Sequence, residues 1–264
     1  MLELVNKNSS LLVEAESLLK GMARRDAVAI RRMQQLFPRL KRIADGGDPD
    51  FQSIVAGLAL EYMGKPQIAL TYFRAAADVG HAAGQRGLAH MLINGIGVER
   101  NEKMAADLFR SAAAAGDAFA KHNLAGMYLR GVGVDEDRGR AIALLTAASR
   151  EGVDAASRTL GEIEASEGNH SKAREYYELA AAQGSYRVLI QLGVMFRDGV
   201  GGPVDQVQAV KCFLRLLDIG YGDGLHEARS VSRSMSDRDI REAARLAGRP
   251  SEGEVLIKGK LRDS

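Results

Sequence analysis

The sequence predicts an all-α fold, a right-handed α-solenoid of five helix-turn-helix repeats with helical caps at both ends. The first indication is a helix-end motif, in its fullest form Ala-Ala-x-x-Gly, whose glycine recurs at steps of 36, 36, 32 and 36 residues. The five glycines are Gly80, Gly116, Gly152, Gly184 and Gly220. The second indication is a leucine eight residues after each of the first four glycines, within apolar residues that share one helical face. A fixed period in this range is typical of stacked helical hairpins.

Residues 1–46 are predicted to form a basic helical cap. Between Lys20 and Arg42 the chain carries eight Lys or Arg residues and one Asp, a net charge of +7. Apolar residues recur there at helical spacing, at Leu18, Met22, Ala29, Met33, Leu36 and Leu40. Away from that stripe lies what we call the basic N-terminal surface, which consists of Arg24, Arg25, Arg31 and Arg32. Pro38 is expected to bend or break this helix, because proline removes a backbone donor.

Residues 47–223 are predicted to be the repeat array. The first helix of each repeat is centred on Leu58, Leu88, Leu124, Leu160 or Leu192. Four residues later, on the same core-facing side, come Tyr62, Leu92, Tyr128 and Phe196. The glycine loops after Asn94 and Arg130 are expected to end the first helix in a left-handed residue.

The second helix of each repeat pairs large with small residues, as in Ala69 and Phe73, so neighbouring repeats can bury each other's apolar faces. Its expected N-caps are Asn101, Asp137, Asn169 and Asp205, with Pro66 in the first turn of the first repeat. The fourth repeat is four residues short, and the deletion falls in its turn.

Residues 224–264 are predicted to hold C-terminal capping helices and a polar tail. Ser236 begins a helix, with Asp239 placed as in a capping box, and Gly248 with Pro250 ends it. Residues 251–264 are mostly polar, so we expect a loosely ordered tail.

The segments Leu192–Phe196, Gly131–Asp135 and Tyr176–Gly184 resemble Sel1-like repeats, which are helical-hairpin relatives of the tetratricopeptide repeat. The resemblance covers about residues 51–223. It departs from the family pattern because the second helices lack the usual tryptophan and two repeats lack the full glycine loop. The resemblance implies a solenoid whose first helices line a concave groove.

Composition and spacing disfavour catalysis and metal binding. A single cysteine forms no internal disulfide and no cysteine-cluster metal site, and Cys212 occupies an apolar helical position typical of a small buried residue. The glycine loops lack the pattern of a phosphate-binding or calcium-binding loop, and no His-x-x-x-His pair is present. We therefore expect no catalytic residue, metal or cofactor. Without a signal-peptide pattern or an apolar run that could span a bilayer, the expected location is the cytoplasm.

Positions opposite the core face of the first helices are expected to line the groove, and we call them the groove face. They are Arg86, His90, Asn94, His122, Arg130, Arg158, Glu162, Ile190, Val194 and Arg197. The middle of this set is basic, which favours an acidic peptide or carboxylate-rich helix as ligand, while a merely solvated helix face explains it equally well. The apolar pair Ile190 and Val194 needs a cover, either the C-terminal tail, a second copy in a homodimer, or a partner.

The basic N-terminal surface has three interpretations, namely a solvated cap face, a contact for an acidic protein, or a contact for nucleic acid or an anionic membrane. Nucleic acid is the weaker of these, since the segment lacks aromatic stacking residues. The function that fits best is a non-catalytic protein-interaction scaffold or adaptor. The alternatives are a regulator that acts through the basic N-terminal surface on nucleic acid or a membrane, and an accessory or inhibitor subunit of an enzyme.

Leu124→Ala tests the repeat register. Truncating a buried leucine in mid-array should lower the free energy of unfolding by about 2–5 kcal/mol, because a cavity is left between helices. Thermal or urea unfolding measures the change. Unfolding indistinguishable from that of the parent would contradict the register.

Overall fold

The computed structural model describes the backbone of residues 2–23 and 25–263 and the side chains of residues 8–23 and 25–260. In these residues it has fifteen α-helices, one short 3-10 helix and no strand, which confirms the all-α prediction. They divide into two compact units, residues 1–141 and 142–264. The predicted boundaries at 46 and 223 divide the chain differently and stay predictions.

The first unit consists of successive helical hairpins. Its helices are α1 (Leu2–Ala23), α2 (Ala27–Asp45), α3 (Pro49–Glu61), α4 (Pro66–Asp78), α5 (Ala82–Asn94), α6 (Glu102–Ala114) and α7 (Ala118–Arg130). α8 (Arg138–Arg150) begins here and continues into the second unit. The stripe predicted in the basic cap is buried at Met22, Met33 and Leu40, and α2 continues through Pro38 without a break.

The second unit continues the hairpin pattern and ends in extra helices. Its helices are α9 (Asp154–Ser166), α10 (His170–Ala182), α11 (Leu189–Asp198), α12 (Gln206–Arg215), a 3-10 helix (Leu216–Ile219), α13 (Asp223–Ser232), α14 (Asp237–Leu246) and α15 (Pro250–Asp263). The predicted start of α14 is confirmed, since Ser236 Oγ accepts the backbone N–H of Asp239 at 3.1 Å.

The predicted caps and glycine turns are largely confirmed. Carboxylate or amide oxygens of Asn101, Asp137 and Asp205 accept backbone N–H groups of the following helix at 2.9–3.0 Å. Gly95 and Gly131 end α5 and α7 with φ of 66° and 64°. Such φ values strain any residue with a Cβ, which explains glycine at these positions.

Asn169 contradicts its prediction as a capping side chain. Its amide nitrogen donates to Glu164 Oε2 at 2.9 Å, across the shortened turn, and no cap bond to α10 forms. The missing four residues bring the end of α9 close to Asn169, so this side chain closes the turn instead.

Tyr62 was expected on the core face, and this expectation is wrong. It is 45% exposed, whereas the equivalent Leu92, Tyr128 and Phe196 are buried. The reason is that α3 ends at Glu61, so Tyr62 lies just beyond the helix, and the turn to α4 is six residues shorter than the full loop.

The expectation of a loosely ordered tail is also wrong. Residues 250–263 form α15, and Leu256 and Ile257 are buried against Ile240 and Ala244 in the core of the second unit. α15 therefore packs on this core through Leu256 and Ile257, while the preceding Val255 is exposed.

Large side chains of the second helices press against the backbone of the first helices. A Cβ on Gly193 would lie 2.6 Å from the Phe213 ring, and one on Gly161 would lie 2.7 Å from the Tyr177 ring. Both rings are buried, and the alanines one turn away on the second helices are fully buried too. The absence of a side chain at these glycines lets α9 approach α10 and α11 approach α12 closely.

Each long glycine loop that lies within a single unit rests on the start of the preceding second helix. Gln67 Nε2 donates to the carbonyl of Gly97 at 3.3 Å, at the start of α4. A Cβ on Gly133 would collide with the carbonyl of Glu102 on α6, and one on Gly201 with that of His170 on α10. These loops therefore join consecutive repeats as well as the two helices of one repeat.

Arg174 of α10 binds the glycine loop between α11 and α12. Its side chain is only 9% exposed, and its guanidinium lies 4.0 Å from the centroid of the Phe196 ring. It donates to the carbonyl of Pro203 at 3.0 Å and to Glu178 at 3.1 Å. The buried charge is thus paired and hydrogen-bonded, which burial requires.

Gly193→Ala and Gly57→Ala should change stability in opposite directions. Gly57 lies within α3 with no neighbour near its missing Cβ, so alanine should raise the free energy of unfolding by about 0.5–1 kcal/mol. Gly193→Ala should lower it by about 1–3 kcal/mol, because the buried Phe213 ring leaves no room. Urea unfolding of both variants measures the difference, and two stabilised variants would contradict the close approach.

The Cys212 thiol should be unreactive in the folded protein. Burial raises the pKa of Cys212 to about 12, so almost no thiolate exists at pH 8. We expect Ellman's reagent to react on the order of a hundredfold more slowly with the folded chain than with the urea-unfolded chain, which serves as the control. Full labelling of the folded protein within minutes would disprove this.

Candidate functional site

In the first unit, Arg86 belongs to a cluster that joins two repeats. Its Nε donates to Asp117 Oδ2 at 2.8 Å, and Asp117 Oδ1 in turn accepts the backbone N–H of Ala120 as the N-cap of α7. The Arg86 guanidinium also lies 5.5 Å from the centroid of the Phe119 ring. Arg86, which was predicted to line the groove, thus stabilises the start of α7, the first helix of the next repeat. Because Asp117 neutralises its positive charge, Arg86 is less available to a ligand.

Phe119 is a surface residue that sequence reasoning missed. Its side chain is 57% exposed, although it lies on a first helix beside a groove-face arginine. Two signals were present in the sequence. Phe119 is the one aromatic residue three positions after a repeat glycine, and it stands in the first turn of a helix, away from the core register.

The other groove-face residues of the first unit are polar. Asn94 Nδ2 donates to the carbonyl of His90 at 2.8 Å, and both residues are exposed. His122 is half-buried on α7. Arg130 is exposed at the end of α7 and has no carboxylate within ion-pair distance among the described residues. Arg130 is therefore the groove-face arginine of this unit whose charge is available.

In the second unit the groove-face arginines are neutralised locally. Arg158 forms an ion pair with Glu162 one turn further along α9. Arg197 donates to both carboxylate oxygens of Asp198, at 2.7 and 2.9 Å, and to Glu227 at 3.3 Å. Its hydrogen bonds with Asp198 raise the pKa of Arg197 and lower the pKa of Asp198. The groove face of this unit therefore carries less positive charge than the sequence suggests.

The apolar pair Ile190 and Val194 is less exposed than expected. Val194 is half-buried and packs against the core of its own unit, while Ile190 is 40% exposed. The need for a cover thus reduces to a single side chain.

The basic N-terminal surface contains both paired and unpaired arginines. Arg32 Nε donates to Glu14 Oε1 at 2.9 Å and so joins α1 to α2. Arg25 lies in the turn between these helices with a φ of 59°, and Arg31 is exposed. Neither Arg25 nor Arg31 has a carboxylate partner in the described part of the chain, and Arg24 lies outside it.

Asp50, His81 and Ser53 have the donor–acceptor order of a hydrolase triad, and sequence reasoning did not find them. His81 Nε2 lies 2.9 Å from Asp50 Oδ1, and Nδ1 lies 3.1 Å from Ser53 Oγ. Nδ1 also accepts the backbone N–H of Gly84 at 3.4 Å, as the N-cap of α5, and Ser53 donates to the carbonyl of Pro49. These contacts describe a helix cap that ties α3 to α5, with the nitrogen needed by a general base already in use.

The described residues contain neither a candidate metal centre nor a candidate membrane span. Within them, no group of three or more His, Cys, Asp or Glu side chains could hold a metal ion. No helix in the same residues combines the length and the apolar character needed to cross a membrane.

The repeats match the Sel1 repeat family model at residues 57–81, 82–117, 118–153, 161–185 and 188–221. No curated protein sequence matches the chain. Among solved structures, a Sel1 repeat protein from Oxalobacter formigenes is similar at 25% identity and a TM-score of 0.66, covering 75% of this chain and 60% of the other.

Two further structures share the fold. A protective antigen of uropathogenic Escherichia coli strains with an SLR fold has 22% identity and a TM-score of 0.61, over 86% of this chain and 56% of its own. A putative Sel1 repeat protein from Klebsiella pneumoniae has 21% identity and a TM-score of 0.51, over 74% and 99%. The chain thus spans about three fifths of the Oxalobacter and Escherichia proteins.

The matched repeats occupy more than half of the chain and coincide with the helical hairpins of the structure. The chain belongs to the Sel1 repeat family.

Proposed function

We propose that this chain is a non-catalytic scaffold that binds a partner protein or peptide through the exposed faces of its first helices. Sel1 repeat proteins are generally protein-interaction scaffolds, which supports the class of function. The observation that carries the proposal for this chain is Phe119, a large aromatic ring left 57% exposed beside Arg86. Exposed aromatic residues next to arginine are the kind of residue that dominates protein-interface energies.

The charge of this surface favours an acidic partner. Arg130 follows on the same helix, α7, and has no carboxylate partner among the described residues. A partner that buries Phe119 and places a carboxylate against Arg130 would gain both an apolar contact and a charge-assisted hydrogen bond. Arg158 and Arg197 are less suited to this role, since their own carboxylates would have to be displaced.

The double variant Phe119→Ser with Arg130→Glu tests the proposal. Immobilised parent protein captures partners from a native lysate, and their affinities are then measured with purified partner. We expect the variant to weaken binding tenfold or more, equivalent to about 1.4 kcal/mol or greater. Both residues are exposed, so the fold should survive, which circular dichroism verifies.

The matched control is Val79→Ser with Arg74→Glu, which removes an exposed apolar residue and an exposed arginine elsewhere in the first unit. It should bind like the parent. Equal affinity of the Phe119/Arg130 variant and the parent would move the interaction away from α7. Equal loss in both double variants would show that the effect is not specific to this face.

A further inference from the structure

An apolar cleft opens between α2 and α3 in the first unit, and none of the residues that line it belongs to the groove face. Its volume is about 390 Å³. The apolar residues that line it include Met22, Ile30, Met33, Phe37, Tyr62 and Met63. Tyr62 and Met63 are 45% and 40% exposed. Single exposed apolar residues are ordinary, but a concave group of this size with three methionines indicates a binding surface.

The repeat register explains why this cleft is open. Pro66 and Glu102 lie fourteen residues before the closing glycines Gly80 and Gly116, and the glycine loops of the next repeats rest on them. Gly47 is the corresponding glycine after α2, and the residue fourteen positions before it is Met33, which lines the cleft. The first repeat has a turn six residues shorter than the full loop, so the place where a loop would rest is empty.

A short turn does not by itself require an apolar surface. The fourth repeat also has a shortened turn, and there the residue equivalent to Tyr62 is Glu164. Glu164 accepts a hydrogen bond from Asn169 at 2.9 Å, which closes that turn with polar groups. The first repeat instead keeps Tyr62 and Met63 exposed to water, where their hydration costs free energy unless a ligand covers them.

Charges beside the cleft indicate the chemistry of the occupant. Arg31 precedes the lining residue Gln34 by three positions, which puts both on one side of α2, and Lys65 follows Met63 in the turn. Both cations are exposed and lack a carboxylate partner among the described residues. In the chain's own loops, acidic residues follow the apolar ones, as in Val134, Asp135 and Glu136.

We propose that this cleft binds a short segment of a partner protein that takes the place of the missing loop. The segment carries two apolar residues around a glycine, followed by carboxylates. Its apolar side chains enter between Met33, Phe37 and Tyr62, and its carboxylates pair with Arg31 and Lys65. This site is a second contact for the scaffold and is independent of Phe119 and Arg130.

A peptide probe tests the proposal with the full chain. The probe is the blocked heptapeptide Gly-Val-Gly-Val-Asp-Glu-Asp, the sequence of residues 131–137, and the control peptide replaces both valines with serine. Methionine methyl groups labelled with carbon-13 report binding by NMR. The probe should shift the resonances of Met22, Met33 and Met63 with a Kd on the order of 1 mM, and the control peptide should not.

Variants locate the site and separate apolar from charge effects. Met63→Ser should weaken probe binding about tenfold and Lys65→Glu about threefold, and Lys65→Glu should also lessen its dependence on salt. Val79→Ser is the control and should bind like the parent, since Val79 is an exposed apolar residue directly after α4 that does not line the cleft. Since all three residues are exposed, the variants should fold, which their methyl spectra verify.

Several results would overturn the proposal. These are no shift at the three methionines, equal shifts with both peptides, or loss of binding in Val79→Ser alone. Concentration-dependent shifts without peptide, matched by dimers in sedimentation, would show that a second copy occupies the cleft. The Phe119/Arg130 double variant should bind the probe normally, so failure of this site and failure of the proposed function are distinguishable.

Discussion

The structure depends on one recurring contact, in which a large side chain of a second helix presses on a position of the first helix that has little or no side chain. Phe213 against Gly193 and Tyr177 against Gly161 are examples within one hairpin, and the Phe73 ring lies closer still to the position that a Cβ on Gly87 would take. Each of these contacts buries a ring between two helices. A single hairpin therefore cannot bury its apolar face alone and needs the neighbouring hairpin to complete its core. The high alanine and glycine content and the lack of tryptophan are consistent with this close spacing.

The length of the turn inside each repeat is the second constraint. A full glycine loop reaches the start of the preceding second helix, as Gly97 does at Pro66 and Gln67, and so covers the end of its own first helix. A shortened turn cannot reach that far. In the fourth repeat a hydrogen bond between Asn169 and Glu164 closes the shortened turn, whereas in the first repeat Tyr62 and Met63 stay exposed. A shortened turn is thus closed by polar groups in the fourth repeat and leaves a cleft in the first.

The arginines of the first helices show that the sequence of a helix face does not reveal which of its charges can bind a ligand. Arginine side chains are long enough to reach carboxylates one turn or one repeat away, as Arg158 reaches Glu162 and Arg86 reaches Asp117. Exposed pairs of this kind contribute little to stability, yet they leave little unpaired charge for a ligand. What remains in the first unit is the exposed ring of Phe119 and the unpaired Arg130, and these direct the proposed interaction.

Local spacing along the chain was enough to predict the repeat, the helix pairs, most caps and the burial of Cys212, because a helix needs its apolar residues three and four positions apart. It did not reveal which charges would be paired, since partners such as Asp117 lie about thirty residues away and meet only when hairpins stack. It also did not reveal that Tyr62 would be exposed or that residues 250–263 would form a packed helix. Both depend on which residues lie beside a segment once the hairpins have stacked, and local spacing carries no information about those neighbours.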